Sequence, residues 1–128
     1  MAQYKRFMKK IPFEVLEQKG FDLLGEGRHR QAFLTPSGKY VIKFPLNPEG
    51  AVANDEEAHI YATSPKKERE RLAKCRLFYY NNLPCLIMEY VEEVTKWDKL
   101  PKWTRFIDCG QVGYTRYGQL VAFDYSYI

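Results

Sequence analysis

The chain has 128 residues, 45% of them apolar and 28% charged, which predicts one globular domain with its own core and excludes a disordered chain. Aromatic residues reach 16%, with ten tyrosines, a composition suited to strands and half-buried rings. The net charge of +4 suits phosphate-bearing or acidic partners, and it is no larger than that of many ordinary soluble proteins.

Pro12 to Lys19 is predicted as a short helix, with Pro in its first turn, apolar Phe13 and Leu16, and Gly20 as a stop. Phe21–Leu24 and Gln31–Leu34 are predicted strands around a Gly25–Arg30 turn. Lys39–Phe44 is a third strand after the turn Thr35-Pro36-Ser37-Gly38. Pro45–Gly50 is expected as a loop. Ala51–Ala62 follows as a helix with Ala58, Tyr61 and Ala62 near one face, and Ser64-Pro65 interrupts it. Lys66–Lys74 is a second, densely charged helical stretch. Cys75–Tyr80 and Leu83–Val91 are expected to form a hairpin around Asn81-Asn82. Glu92–Leu100 is a polar connector holding Trp97. Lys102–Ile107 is a short helix after Pro101, with Trp103 spaced to pack in the core. Gln111–Tyr114 and Gln119–Asp124 form a last hairpin. Short sequential strands joined by tight turns imply an α+β fold: an antiparallel sheet of about five strands with the helix after the third strand packed on one face.

Cys75, Cys85 and Cys109 are widely spaced without a C-x-x-C pair, and His29 and His59 are the only histidines. No zinc framework follows from that pattern. Reduced, largely buried thiols in a cytoplasmic protein are expected instead. Met1 to Lys10 carries Lys5, Arg6, Lys9 and Lys10 with no apolar stretch behind them, so no signal peptide is read there. No run reaches the length of a membrane span.

Three features point to chemistry. Gly25-Glu26-Gly27 between two strands would let backbone N–H groups approach an anion with no Cβ in the way; the plain alternative is a tight hairpin needing positive φ. Lys43 ends the apolar strand Tyr40-Val41-Ile42, and alternation places it on the face of Val41, opposite Ile42 and Phe44. An ammonium on that face needs an anion or a carboxylate to offset its desolvation, unless it simply reaches solvent. Glu57, on the helix that follows, can face the sheet and supply that carboxylate. A dinucleotide-binding reading fails because Gln31-Ala32-Phe33-Leu34 after the glycines is a strand rather than a helix.

Taken in order, these features resemble the N-terminal lobe of the protein-kinase fold over Phe21 to Val91. Gly25-Glu26-Gly27 resembles the glycine-rich loop, Val41-Ile42-Lys43 the strand of the phosphate-contacting lysine, and Glu57 the helix acid that pairs with it. Leu86-Ile87-Met88-Glu89-Tyr90-Val91 resembles the fifth strand and hinge. The resemblance implies Met88 as gatekeeper and the backbone of Glu89 and Val91 as the adenine-holding edge. Asp124-Tyr125-Ser126 resembles Asp-Phe-Gly, which makes Asp124 the implied Mg²⁺ ligand, with Gln111 where an asparagine ligand is expected and Asp108 as the implied catalytic aspartate. Three departures stand out. Gln111 is one methylene longer than asparagine, no His-Arg-Asp triplet exists, and Arg30 replaces the third glycine of the loop. Only Tyr125 to Ile128 follow Asp124.

The implied organisation is a single kinase-like domain over 1–128, with 1–91 N-lobe-like and 92–128, a short helix and a β-hairpin, in place of the C-lobe. It is similar to small kinase-like proteins of tailed bacteriophages. The implied function is binding of ATP–Mg²⁺ with phosphate transfer weak or absent, in the cytoplasm of a host cell. The alternative is a non-catalytic interaction protein, a kinase-derived scaffold that binds a host protein. Nucleic acid is not expected as a partner, because Glu68 and Glu70 dilute the Lys66–Lys74 run and Arg28-His29-Arg30 is short. A membrane is not expected either.

Overall fold

A computed structural model describes residues 13–94, 100–106 and 111–125. Helix α1 (Phe13–Gln18) leads into strands β1 (Asp22–Glu26), β2 (Arg30–Leu34) and β3 (Tyr40–Pro45). Helix α2 (Pro48–Thr63) and the single turn α3 (Lys66–Arg69) follow, then β4 (Cys75–Tyr80) and β5 (Leu83–Glu89). Strand β6 (Val91–Glu93), a 3₁₀ turn (Lys102–Phe106), β7 (Val112–Thr115) and β8 (Leu120–Ala122) complete the described elements. The fold is α+β: a five-stranded antiparallel sheet ordered β1-β2-β3-β5-β4, one packed helix, and a small three-stranded sheet ordered β6-β7-β8.

The sheet follows from the local sequence. Asn81 and Asn82 both adopt positive φ (49° and 65°), the twist a two-residue hairpin needs and one that asparagine tolerates. They join β4 to β5 with Cys75 opposite Met88 and Tyr80 opposite Leu83. One face of the sheet buries Phe33, Phe44, Leu83 and Cys85 under Phe13 and Leu16 of α1. Phe13 stacks on Phe33 at 5.4 Å between ring centres, and Phe33 meets Phe44 edge-on at 5.8 Å, both favourable ring geometries. The other face buries Leu86 and Met88 with Ala73 and Val121, and α2 lies over it.

Several boundaries differ from those expected. Gly25 and Glu26 belong to β1, so the turn shrinks to residues 27–29. The expected loop Pro45–Gly50 is split: Pro45 ends β3 and Pro48 starts α2, where a proline at N1 has no N–H to lose. Asn47 caps that helix, its side-chain oxygen accepting the Gly50 N–H at 2.9 Å. The buried face of α2 is Gly50, Ala53, Asn54 and Glu57; of the expected Ala58–Tyr61–Ala62 face, Ala58 packs against the core while Ala62 is exposed. The charged stretch after Pro65 keeps only one helical turn. Beyond it Leu72 bridges Ala122, and the Ala73 and Ala122 N–H groups reach the Ala122 and Arg71 carbonyls at 2.8 Å. Val91 leaves the first sheet, and with Glu92 and Glu93 it pairs with β7.

The last hairpin is therefore the core of a second sheet, and its cluster of Val94, Val112 and Ala122 takes up half-buried Trp103. Arg71 lies over that indole at 5.3 Å. Trp97, Cys109 and Asp108 lie outside the described residues. Among the described residues, no helix is long and apolar enough to cross a membrane.

Candidate functional site

Lys43 and Glu57 meet. Alternation along β3 turns Lys43 toward α2, where Glu57 occupies the helix face that touches the sheet, three residues after Asn54. The Lys43 ammonium lies 3.2 Å from each Glu57 oxygen and donates to the Phe123 carbonyl at 2.9 Å. Glu57 is 0% exposed and Lys43 8%. Burial pushes the lysine's pKa below its ordinary value, Glu57 pulls it back up, and nearby Arg30 pushes it further down.

Arg30 is the member of this cluster whose role the sequence did not disclose. From β2 its guanidinium contacts Glu57, reaches Asp124 at 2.9 Å and donates to the Asn54 side-chain oxygen at 3.2 Å. The Asn54 amide donates in turn to the Lys43 and Pro84 carbonyls at 3.0 and 2.9 Å. This fully buried asparagine thus ties helix, both central strands and arginine together, satisfying every polar group it takes from water. The spacing of Asn54 and Glu57 at i and i+3 was the available signal, since both lie on one helical face. Two cations and two carboxylates form a closed, locally neutral cluster.

The C-terminal segment is anchored from below. The Tyr125 N–H points to Glu57 Oε2 at 3.4 Å, and its hydroxyl donates to the Ala73 carbonyl at 2.8 Å and lies 3.0 Å from Cys75 Sγ. Burial raises the Tyr125 phenol strongly and pushes the Cys75 thiol up to about 11, so both are neutral and the thiol is no nucleophile. Asp124 sits beside them, with its side chain 35% exposed.

Two joined hollows open from the cluster, sharing Gly25, Ala32, Lys43 and Asp124. One, about 360 Å³, runs under Gly25–Arg30. The other, about 350 Å³, is lined by Leu24, Val41, Met88 and Phe123 and reaches Tyr90 and Val91. Neither Gly25 nor Gly27 has positive φ, and a Cβ at Gly25 would have nothing within 4 Å. The hairpin therefore does not require glycine at these two positions. At Gly50 the opposite holds, because a Cβ would strike the His29 carbonyl. That close approach, with the Leu46 N–H on the His29 carbonyl at 2.7 Å and the Asn47 amide on Arg28 at 3.2 Å, pins the turn to the helix start.

At the far end, the Glu89 N–H is committed to the Lys74 carbonyl at 2.9 Å. The Val94 N–H donates to Val112. With Val91 opposite Thr115, ladder alternation turns the Val91 N–H and C=O away from β7. Strand β6 is an edge, so these groups are open to the hollow.

The expected metal position is only partly assembled. Asp124 faces the hollow, the Gln111 carbonyl accepts the Phe123 N–H at 3.0 Å, and Asp108 lies outside the described residues. No cluster of three His, Cys, Asp or Glu side chains occurs among the described residues. A Mg²⁺ that arrives on a polyphosphate needs only one or two carboxylates from the protein. Asp124 fits that requirement once Arg30 releases it. Comparison with family models, curated proteins and solved structures returns no match.

Proposed function

We propose that the chain is a kinase-like nucleotide-binding protein that takes ATP with Mg²⁺, with phosphate transfer weak or absent. The observation that supports this most is the Lys43 ammonium, held by a buried helix carboxylate at the junction of a glycine-roofed hollow and an apolar slot. Lys43 and Arg30 would meet the phosphates, and the Glu26 N–H, which ladder alternation turns away from β2, would be the backbone donor left for them, since the Gly27 N–H is committed to the Arg30 carbonyl at 2.9 Å. Leu24, Ala32, Val41, Met88 and Phe123 would sandwich the base, and the open backbone edge of Val91 would read its rim. Asp124 would hold the metal, which supplies charge neutralisation to the phosphates when bound. Weak transfer accords with Arg30 lying on Asp124, the implied metal ligand. A host cytoplasm accords with the unpaired thiols of Cys75 and Cys85.

ATP–Mg²⁺ at one hundred times its dissociation constant should add about 2.7 kcal/mol to the native state. The melting temperature should then rise by about 10 °C. Lys43→Met should remain folded, because Arg30 still holds Glu57, and should lose the shift.

One observation favours a second reading, a non-catalytic protein that binds a host partner. The four charges satisfy one another without any ligand, as a purely structural cluster would. Absence of a shift with any nucleotide at millimolar concentration selects this second reading.

A further inference from the structure

On the other side of Glu89 and Tyr90 from the Lys43 hollow lies a larger groove, of about 600 Å³. Four cations line it: Lys39 just before β3, Lys74 before β4, Arg76 within β4, and Arg116 in the β7–β8 turn. Among the described residues the ion pairs are made by Arg30 and Lys43, and none by these four. The acid that lines the groove, Glu89, already accepts the Lys74 N–H at 2.7 Å. Four cations against the single carboxylate of Glu89 leave the groove with an excess of positive charge, which raises the local potential and favours an anionic ligand.

The groove is also aromatic. Tyr40, Tyr90 and Tyr117 line it, all three exposed, and Tyr117 is 76% exposed. Arg116 stands over the Tyr117 ring at 4.9 Å and donates to its hydroxyl at 2.8 Å, which holds ring and guanidinium as one unit. The walls are rigid, since Tyr90 is bonded through its N–H to the Lys39 carbonyl and Glu89 to Lys74, both at 2.9 Å. Cations interleaved with open ring faces match a chain that alternates phosphates with stackable bases. An acidic peptide would use the cations and leave the ring faces without a role. A duplex would hide its base faces from the rings.

We propose that this groove binds single-stranded nucleic acid, with phosphates on Lys39, Lys74, Arg76 and Arg116 and bases against Tyr40, Tyr90 and Tyr117. The sequence concealed it because these residues come from four separate segments, none of which brings more than two of the cations.

The test is fluorescence anisotropy with labelled twelve-residue oligo-dT and oligo-U on the whole chain, across a salt series. Four phosphate contacts predict that log K falls against log salt with a slope of about −3. Arg76→Ala with Arg116→Ala should flatten that slope by roughly 1.4. Tyr117→Ala, at an exposed position that folding does not need, should weaken binding by about fivefold or more at fixed salt. Preference for oligo-U or oligo-dT is compatible with the groove and distinguishes RNA from DNA as its source. Three outcomes overturn the proposal: no binding at low salt, equal affinity for a polyglutamate of matched charge, or binding that survives all three groove substitutions.

Discussion

Arg30 decides how the four-charge cluster responds to a ligand. Under the proposed function its guanidinium would compete with a divalent cation for Asp124, so wild-type protein should retain part of its ATP-induced thermal shift when EDTA replaces Mg²⁺. Arg30→Gln should lose the EDTA shift and keep the Mg²⁺ one, a difference that differential scanning fluorimetry reads directly. Glu57 is the costlier residue to touch. Glu57→Gln leaves the Lys43 and Arg30 charges buried beside a neutral amide, and removing one partner of a buried pair costs about 3–5 kcal/mol. Urea unfolding should show that loss without nucleotide present. Gly25→Ala should behave in the opposite manner. With open space for its Cβ and no positive φ, it should leave the unliganded stability unchanged or raise it by up to about 1 kcal/mol. The same substitution should reduce the nucleotide shift, because the methyl would point where phosphates approach.

Among the elements, α2 matters most, because it carries Asn47, Gly50, Asn54 and Glu57 in four successive contacts with the sheet and turn. Asn47 does two things at once, capping the helix and receiving the His29 ring nitrogen at 3.2 Å. Asn47→Ala should cost about 1 kcal/mol through the lost cap, measured as a lower urea midpoint, and should loosen the 27–29 turn. Gly50→Ala should be worse, since the added methyl meets the His29 backbone and the turn must move away from the helix. The same element shows why its orientation was hard to read. A buried face of glycine, alanine, asparagine and glutamate carries no apolar stripe, so periodicity showed only the face of Ala58, Tyr61 and Ala62, of which Ala58 reaches the core. The strands suffered no such ambiguity. Val41 and Lys43 face the hollow and Ile42 and Phe44 face the α1 side, as alternation requires.

At the scale of the whole molecule, buried thiols and the buried Lys43 tie stability to pH in opposite directions. The fold raises Cys75 to about 11 and Cys85 to about 12 from an ordinary 9.0. A raised thiol favours the native state fully below its unfolded value and loses that contribution as pH climbs through the folded one. Stability owed to the two thiols should therefore decline from about pH 9 to about pH 12. Lys43 has the opposite sign: its lowered value makes its contribution grow as pH rises toward 10.5. Urea midpoints at about pH 8 and about pH 10 should separate the two, because a Cys75→Ala, Cys85→Ala variant should lose less across that step than wild type.

The strand faces, the Asn81-Asn82 hairpin and the helix break at Ser64-Pro65 were legible in the sequence, because each depends on neighbours within a few residues or on strict two-residue alternation; alternation also set the face of Lys43, and the packing of α2 brought Glu57 to it. Only the tertiary structure decided that Arg30 bridges Glu57 and Asp124, that Val91 crosses to a second sheet, and that four scattered cations surround one groove. Those outcomes depend on contacts between residues as far apart as Arg30 and Asp124. No local periodicity records them, since what selects the partner is the three-dimensional closure of the chain and the cost of leaving a buried charge unpaired.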